Sequence, residues 1–286
     1  AYCSCRAGLD REDYLSSPAE AARLAFASVK NSSHGIFLSS AICRNADYTQ
    51  ELLAECARIL RKELGFTGFL HVKVMPGADP CLIEKTGRYA DRLSVNIEVA
   101  KSSGYERIAK QKNRENILSP MSEISSRIAK NRYERKPFAL SQTTQLMAGS
   151  TGEDDRTILT LTSALYRKYA LKRVYFSAFR YLSPAKGYEA DFSPVQTPLW
   201  RTARLYQADS LMRLYGFSSE EILPEGEPFL SREVDPKTAY ALRHLDLYPV
   251  EINRADFETL LRVPGIGIVS AKKILVARRY CAVTHD

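Results

Sequence analysis

The stretch FLHVKVMPGADP, residues 69–80, carries the pattern that decides the fold. Its first seven residues are rich in Leu, Val and Phe and predict a strand, Phe69–Met75, which the Pro-Gly pair ends. Pro80 then opens a segment with helical spacing, Pro80–Tyr89. A strand followed at once by a helix is the unit from which α/β folds are built.

The same unit recurs along the chain. The other predicted strands are Gly35–Ile42, Arg92–Val99, Thr144–Gly149 and Arg173–Phe179. The other predicted helices are Ser17–Lys30, Thr49–Leu64, Pro120–Asn131 and Asp155–Tyr169. Strands that alternate with helices pair in parallel through right-handed crossovers. Because several strands mix apolar with polar residues, as a barrel interior that lines a site requires, we favour a barrel-like closed or half-closed sheet over a doubly wound open one.

Length, composition and charge indicate one large core, or one barrel with a small appended module. The chain has 286 residues, of which 45% are hydrophobic and 26% charged, as in ordinary globular proteins. Its net charge of +8 favours polyanions through counterion release, although a mildly basic cytosolic enzyme has the same balance. No run approaches about 20 apolar residues and no signal peptide is recognisable, so we expect a cytoplasmic protein without a membrane span.

The six cysteines show no spacing typical of a disulfide framework, which indicates a reducing compartment. Cys43, Cys56 and Cys81 are interpreted as small buried hydrophobic residues. The chain starts at Ala1 rather than Met, and we expect it to be a fragment. The segment Lys101–Lys136 carries ten Lys and Arg residues and has two interpretations: a basic rim over a nucleic-acid channel, or a solvated helical face.

The C-terminal region is predicted to be helical. An amphipathic helix covers Pro198–Gly216, and a Pro- and Glu-containing segment, Leu223–Pro236, is interpreted as a linker. Two further helices are predicted over Asn253–Val263, with Asn253 as its cap, and over Ile268–Arg279.

Two glycines in the turn between these last helices, Gly265 and Gly267, let the backbone turn tightly and approach a phosphate. The amides that open the second helix point outward with the positive end of its dipole, and Lys272 and Lys273 add charge. The pattern L-x-x-V-P-G-I-G-x-x-x-A-x-x-I, residues 260–274, resembles the helix-hairpin-helix motif of DNA repair and DNA uptake proteins. That resemblance implies binding to nucleic acid, with DNA as the favoured partner and little base specificity. Some such units bind only other proteins.

The N-terminus adds an aromatic residue before a cysteine, Tyr2-Cys3, ahead of the five predicted strands. Radical S-adenosylmethionine (SAM) enzymes hold a [4Fe–4S] cluster by C-x3-C-x2-C, with an aromatic residue before the last Cys, after the first strand of a six-strand β/α barrel. The chain resembles the radical SAM proteins assigned to DNA modification and repair, which pair such a barrel with a C-terminal helix-hairpin-helix. The matching stretches are residues 35–41, 71–80, 91–98, 145–153 and 204–209.

This resemblance implies a fold and a domain order. The fold is a partial (β/α)6 TIM-like barrel over residues 1–195, with the first strand and two cluster cysteines upstream of Ala1 and Cys3 as the third ligand. A helical connector and linker follows over residues 196–245. The helix-hairpin-helix module then covers residues 246–286.

The resemblance also implies a set of SAM contacts at the strand ends. Ser39 and Ser40 occupy the place of the turn beside the methionine amine, although the acidic residue usual there is absent. Lys73 faces the methionine carboxylate, or pairs with Glu98 across the barrel interior. The other implied contacts are Asn96 and Glu98 for the ribose hydroxyls or the amine, Gly149 for the adenine unless it is a plain turn glycine, and Tyr175 with Ser177 to complete the pocket.

The implied function is a radical SAM iron–sulfur enzyme that uses a 5′-deoxyadenosyl radical for DNA modification or repair. Its cofactors are the [4Fe–4S] cluster and SAM. Its partners are nucleic acid, through the helix-hairpin-helix, and a reductant protein such as flavodoxin or ferredoxin, with no membrane. The alternative is a non-catalytic nucleic-acid-binding scaffold with a degenerate barrel.

Overall fold

A computed structural model describes residues 17–30, 34–109, 112–134, 137–180 and 196–284, without the side chains of residues 132 and 134. The chain divides into two compact units. The first comprises residues 1–151 and 165–196, and the second comprises residues 152–164 and 197–286. Cys3, the predicted cluster ligand, lies outside the described residues.

The first unit is an α/β fold whose five parallel strands curl into a half-barrel. The strands are β1 (Ile36–Leu38), β2 (Leu70–Lys73), β3 (Arg92–Ser94), β4 (Ser141–Ala148) and β5 (Arg173–Ala178). Their order in the sheet is their order in the sequence, and every neighbouring pair is parallel. The prediction of a half-closed parallel sheet is therefore confirmed.

In the described ranges, six helices connect or flank these strands. They are α1 (Pro18–Val29), α2 (Ala46–Lys62), α3 (Pro80–Gly87), α4 (Ser103–Ile108), α5 (Arg114–Glu134) and α6 (Asp155–Tyr169), of which α6 begins in the second unit and ends in the first. Side-chain caps define three of their starts: Ser17, Asn45 and Asp79 each accept a hydrogen bond from an amide in the first turn that follows.

The two faces of the sheet differ in chemistry because successive strand residues point to opposite sides. On one face Leu70, Val72, Leu93, Leu146 and Val174 are fully buried, and the helices cover this side. The opposite, concave face carries mostly polar and charged side chains, which are His71, Lys73, Arg92, Ser94, Thr143, Gln145, Arg173, Tyr175 and Ser177. The concave face is therefore the side of the sheet whose side chains can bind a ligand or take part in a reaction.

Helix α5 is longer than the sequence predicts. Pro120 is expected to open the helix, yet it lies inside it. A proline in a helix cannot donate to the carbonyl four residues earlier, here that of Asn116. In the structure this carbonyl accepts a hydrogen bond from the Gly77 amide instead, at 2.8 Å. Because the carbonyl has another donor, the helix can continue through the proline.

The second unit contains the first turns of α6 and the C-terminal helices. These are α7 (Leu199–Tyr215), α8 (Ser219–Ile222), α9 (Pro236–Arg243), a 3-10 turn at Leu245–Leu247, α10 (Phe257–Arg262) and α11 (Ile268–Ala277). No helix of the described residues has the length and apolar character needed to cross a membrane.

The predicted linker Leu223–Pro236 is part of the core of this unit. Leu223 and Leu230 are buried, and the Leu230 amide donates to the Asp155 carboxylate at 3.0 Å. Asp155 is fully buried and also pairs with Arg201 at 2.6 Å. The predicted linker therefore contributes two buried leucines to this unit, which its proline and glutamate content does not reveal.

Candidate functional site

The carboxyl ends of the five strands gather the predicted SAM contacts at one edge of the half-barrel. Ser39 and Ser40 follow β1, Lys73 ends β2, Asn96 and Glu98 follow β3, Gly149 follows β4, and Ser177 lies near the end of β5. Parallel strands place all these ends on the same side of the sheet. This edge is the candidate functional site.

A hydrogen-bonded relay links three of these strands through Gln145. The Asn96 Nδ2 donates to Gln145 Oε1 at 3.2 Å, and the Gln145 Nε2 donates to Ser177 Oγ at 2.6 Å. With its amide used in this way, Asn96 retains a carbonyl oxygen that can accept, and Ser177 retains a hydroxyl hydrogen that can donate. We call Asn96, Gln145 and Ser177 the amide relay.

Gln145 was missed by the sequence prediction. Its signal is weak: it occupies one of the alternate positions of β4 that face the concave side, in register with Tyr175 on β5. Only the register between strands shows that Gln145 lies between Asn96 and Ser177, and register depends on residues far apart in the sequence.

Glu98 is held rigidly beside the amide relay. Its backbone has a φ of 63°, a conformation that residues other than Gly rarely adopt. Its amide donates to the Gln145 carbonyl at 2.9 Å, and its own carbonyl accepts from the Met147 amide at 2.8 Å. These two bonds attach Glu98 to β4 and fix the strained conformation.

The Glu98 carboxylate is buried and paired with Lys112 Nζ at 2.7 Å. Lys112 is thus an ion-pair partner of Glu98 that the sequence did not predict. Tyr105 lies in the same pocket, where its hydroxyl donates to the Ile97 carbonyl at 2.8 Å. Burial, together with the nearby charge of Glu98, raises the pKa of Tyr105 well above its usual value.

Gly149 occupies a tight turn directly after β4. Its φ of 81° lies in the left-handed region that favours glycine, and the next residue, Ser150, donates its hydroxyl to the Met147 carbonyl at 3.1 Å. The left-handed backbone at this strand end therefore accounts for a glycine at position 149.

The serines after β1 take less part in this arrangement. Ser39 is exposed, and the Ser40 hydroxyl donates to the carbonyl of its neighbour Ala41 at 2.7 Å. In the sheet, β2 separates their strand from that of Asn96. The structure thus brings Asn96, Glu98 and Ser177 around Gln145, places Gly149 further along the chain after β4, and leaves Ser39 and Ser40 at the end of the edge strand.

Two polar groups deeper in the concave face also escaped prediction. His71 stacks on Phe37 with ring centroids 4.4 Å apart, and burial, with Arg92 nearby, lowers the pKa of His71 to about 4. The imidazole is therefore neutral at pH 7. Its Nε2 and the Thr143 Oγ1 are buried without a hydrogen-bond partner. Such atoms are rare in folded proteins and often occur near functional sites.

Metal ligands are scarce in the part of the chain that the structure describes. No group of three His, Cys, Asp or Glu side chains there could hold a metal ion. Cys56 is buried, which raises the pKa of its thiol to about 11. Cys43 and Cys81 are exposed, so the prediction that both are buried was wrong. Cys43 lies in the loop before α2 and Cys81 at the start of α3, where neither side chain faces the core.

The C-terminal hairpin of the second unit has the predicted two helices, α10 and α11, but a different start. Asp256, not Asn253, caps α10 by accepting from the Thr259 amide at 2.7 Å. The Asn253 side chain is used elsewhere, since its Oδ1 accepts from the Val283 amide. Leu260, Leu261 and Ala271 form the buried core between the two helices.

The turn between α10 and α11 is a type II turn. The Ile266 amide donates to the Val263 carbonyl at 3.1 Å, Pro264 occupies the second position, and Gly265 has a φ of 84° at the third. Gly267 then caps α11 in an extended conformation without a side chain to bond the first-turn amides. Lys272 and Lys273 are exposed on α11. The amides and the two lysines together can bind an anion.

Two cations of the basic segment Lys101–Lys136 form ion pairs in the described part of the chain. Lys112 pairs with Glu98, and Arg127 pairs with Glu84 and Glu123. Lys110, Arg135 and Lys136 lie outside the described residues. These contacts favour structural roles for Lys112 and Arg127.

Comparison with known proteins assigns no family to this chain. No protein-family model matches it, and no curated protein matches it.

Proposed function

We propose that this protein is a radical SAM iron–sulfur enzyme that acts on nucleic acid, with SAM at the carboxyl edge of the half-barrel. The observation that carries the proposal is the amide relay, which presents an oriented acceptor on Asn96 after β3 and an oriented donor on Ser177 near the end of β5, on either side of Gln145 on β4. In barrel enzymes the reacting groups lie at this end of the strands.

The residues of this edge fit the polar parts of SAM. The Asn96 carbonyl would accept from a ribose hydroxyl, and the Ser177 hydroxyl would donate to a ribose or adenine acceptor. Gly149 would let the adenine lie against backbone. Lys73 would face the methionine carboxylate. Glu98 is a positioning residue in this proposal, because its carboxylate is buried against Lys112 and its backbone holds β4.

The proposal assigns Cys3 as one thiolate ligand of a [4Fe–4S] cluster. SAM bound to such a cluster supplies hydrogen abstraction from unactivated C–H bonds once a reductant of the flavodoxin or ferredoxin type delivers an electron. The chain's own part is to orient SAM through the amide relay and to keep water from the site.

The C-terminal hairpin is proposed as the nucleic-acid contact. Its type II turn, its uncapped first-turn amides and the exposed Lys272 and Lys273 suit a phosphate backbone. Contacts of this kind position a protein on nucleic acid without reading its sequence, so the proposed substrate is nucleic acid, with DNA in first place.

The enzymatic part is tested by SAM cleavage in the intact protein, reconstituted anaerobically with iron and sulfide and reduced with dithionite. We expect 5′-deoxyadenosine to form, and Gln145→Leu to lower its rate and the affinity for S-adenosylhomocysteine about tenfold through the loss of two hydrogen bonds. Gln207→Leu, at an exposed position on α7, is the matched control. A loaded cluster that releases no 5′-deoxyadenosine would leave the nucleic-acid scaffold as the function.

The nucleic-acid part is tested by fluorescence anisotropy with a labelled 20-base-pair duplex. Gly267→Ala is a suitable probe because its φ of −95° suits any residue, and the added methyl would meet only the Tyr215 hydroxyl, at 3.4 Å. We expect this methyl to weaken duplex binding about tenfold by blocking the approach of a phosphate, with unchanged thermal unfolding. Undiminished binding would contradict the assignment.

A further inference from the structure

We infer that Lys237 is a positioning residue for the C-terminal hairpin: it fixes the Ile266–Gly267 peptide so that the Gly267 amide faces a bound phosphate, and it makes duplex binding depend on pH. This inference rests on the proposed nucleic-acid contact, and it adds to that contact a buried cation outside the helix-hairpin-helix pattern.

Lys237 is held in place from its own helix. It lies in the first turn of α9, whose cap Asp235 accepts from the Lys237 and Thr238 amides at 3.0 and 3.2 Å. The residue is only 8% exposed. Its Nζ donates to the Ile266 carbonyl at 2.5 Å and lies 5.0 Å from the centre of the Tyr215 ring. A buried ammonium group thus lies beneath the turn that precedes α11.

The geometry of the Ile266–Gly267 peptide bond links Lys237 to the surface of the hairpin. In a trans peptide the carbonyl and the following N–H point in opposite directions. The Ile266 carbonyl is directed at Lys237, so the Gly267 N–H is directed away from it. The hydrogen bond from Lys237 to the Ile266 carbonyl also polarises the peptide, which makes the Gly267 N–H a stronger donor. Tyr215 supports this arrangement because its ring contacts Lys237 and its hydroxyl lies against Gly267.

The charge of Lys237 is sensitive to pH near neutrality. Burial lowers the pKa of Lys237 from its usual 10.5 to about 8, and Asp235 opposes this shift. From the other elements, α7 presents the Tyr215 ring and the hairpin presents the Ile266 carbonyl. At pH 7 most Lys237 side chains carry the proton, and the ammonium polarises the hairpin. Above pH 8 it loses its proton, and the Gly267 amide loses that support.

As pH rises, the contribution of Lys237 to folding stability should change in the opposite direction to the affinity for the duplex. Because the folded-state pKa is lowered, the unfolded chain binds more protons between pH 8 and 10.5, so this residue's contribution to stability rises with pH in that window. Duplex affinity is expected to fall as pH rises through 8. If Lys237 had only a structural role, the duplex affinity would instead rise with pH together with the stability.

The experiment measures anisotropy of a labelled 20-base-pair duplex at constant ionic strength from pH 7 to 9.5, for the wild type and Lys237→Met. We expect the wild-type affinity to fall about fivefold across this range, and Lys237→Met to bind about fivefold more weakly at pH 7 with a flat profile. Thermal unfolding followed in parallel should show no loss of stability in Lys237→Met, since methionine occupies a similar volume without a buried charge.

The possible results separate the two proposals. A wild-type protein that binds the duplex equally from pH 7 to 9.5 would overturn the role of Lys237 and leave the nucleic-acid contact intact, and this holds whether or not the variant folds. Duplex binding of Lys237→Met equal to that of the wild type at pH 7 would do the same. A wild type that binds no duplex at any pH would overturn the nucleic-acid contact, and the role of Lys237 with it.

Discussion

At the scale of single residues, the Glu98–Lys112 pair shows how much the site depends on one buried charge. The Glu98 side chain is 5% exposed and that of Lys112 14%, so neither charge is well solvated. We expect Lys112→Met to lower the free energy of unfolding by about 3 kcal/mol, because it leaves the carboxylate buried without a partner. Urea denaturation measures this loss.

The double variant Glu98→Gln/Lys112→Met is the control for this prediction. With both charges removed, the double variant should recover more than half of the lost free energy of unfolding. A double variant as unstable as Lys112→Met would mean that the packing of the lysine, rather than its charge, supports the site.

His71 allows a second prediction at this scale, concerning pH. Its folded-state pKa of about 4 lies below the usual 6.5, so as pH falls from 6.5 to 4 the unfolded chain takes up a proton that the native protein does not. Wild-type stability therefore decreases in this window. His71→Phe removes that contribution and an unsatisfied nitrogen, and should stabilise the protein by about 1 kcal/mol at pH 7.

The stabilisation by His71→Phe should be larger at pH 5 than at pH 7, since only the wild type is weakened by protonation of the unfolded chain. Urea midpoints of the two proteins at both pH values provide the measurement. Equal differences at pH 5 and pH 7 would show that His71 is not held neutral in the native state.

At the scale of elements, Pro120 in α5 and Gly77 in the loop after β2 form one structural unit. The carbonyl that the proline leaves without a helical donor accepts from the Gly77 amide. In Pro120→Ala the new amide at position 120 would compete for the same Asn116 carbonyl. We expect amide hydrogen exchange at Gly77 to become about tenfold faster, while the free energy of unfolding changes little.

Ser119→Ala provides the neighbouring control, because it leaves the proline in place. Hydrogen exchange followed by NMR resolves the Gly77 amide. Unchanged protection of that amide in Pro120→Ala would contradict the competition and indicate that the loop holds its position through other contacts.

The same helix shows how far the sequence predicts the elements. All five strands were predicted, because apolar runs bounded by Gly, Pro and Ser are local signals. Their ends were less accurate: β4 starts at Ser141 rather than Thr144, since its polar first residues pair with β3 and β5 across the sheet. Helix α4, with only six residues, was missed. The part of α5 that precedes Pro120 depends on the contact with Gly77, which is distant in sequence.

The candidate sites follow the same rule. The tight turn with Gly265 and Gly267 between two helices was predicted because its signal lies within a few residues. The strand-end positions of Asn96, Gly149 and Ser177 were also predicted. Gln145 and Lys237 were not, since each acquires its role from partners 29 to 49 residues away. Contacts of that range require the fold itself.

At the scale of the whole molecule, the net charge of +8 leads to a prediction about salt. Duplex affinity should fall linearly on a logarithmic plot against salt concentration, because binding releases counterions. Lys272→Ala/Lys273→Ala should reduce the slope by up to about 1.8, since each phosphate contact contributes about 0.9. Anisotropy titrations at several salt concentrations measure the slope.

A second pair of lysines separates local contact from total charge. Lys62→Ala/Lys130→Ala lowers the net charge by the same amount, from +8 to +6, at exposed positions on α2 and α5. This control should leave the slope unchanged. Equal reductions in both double variants would indicate attraction by overall charge rather than contact at the hairpin.

The sequential order of the five strands also affects how the chain is made. Each strand after β1 pairs with the strand synthesised just before it. A strand that leaves the ribosome therefore finds its partner already present, and loop closure spans only the helix or helices between two consecutive strands. Each unpaired strand edge is then covered soon after it appears, which shortens the time during which a growing chain can aggregate.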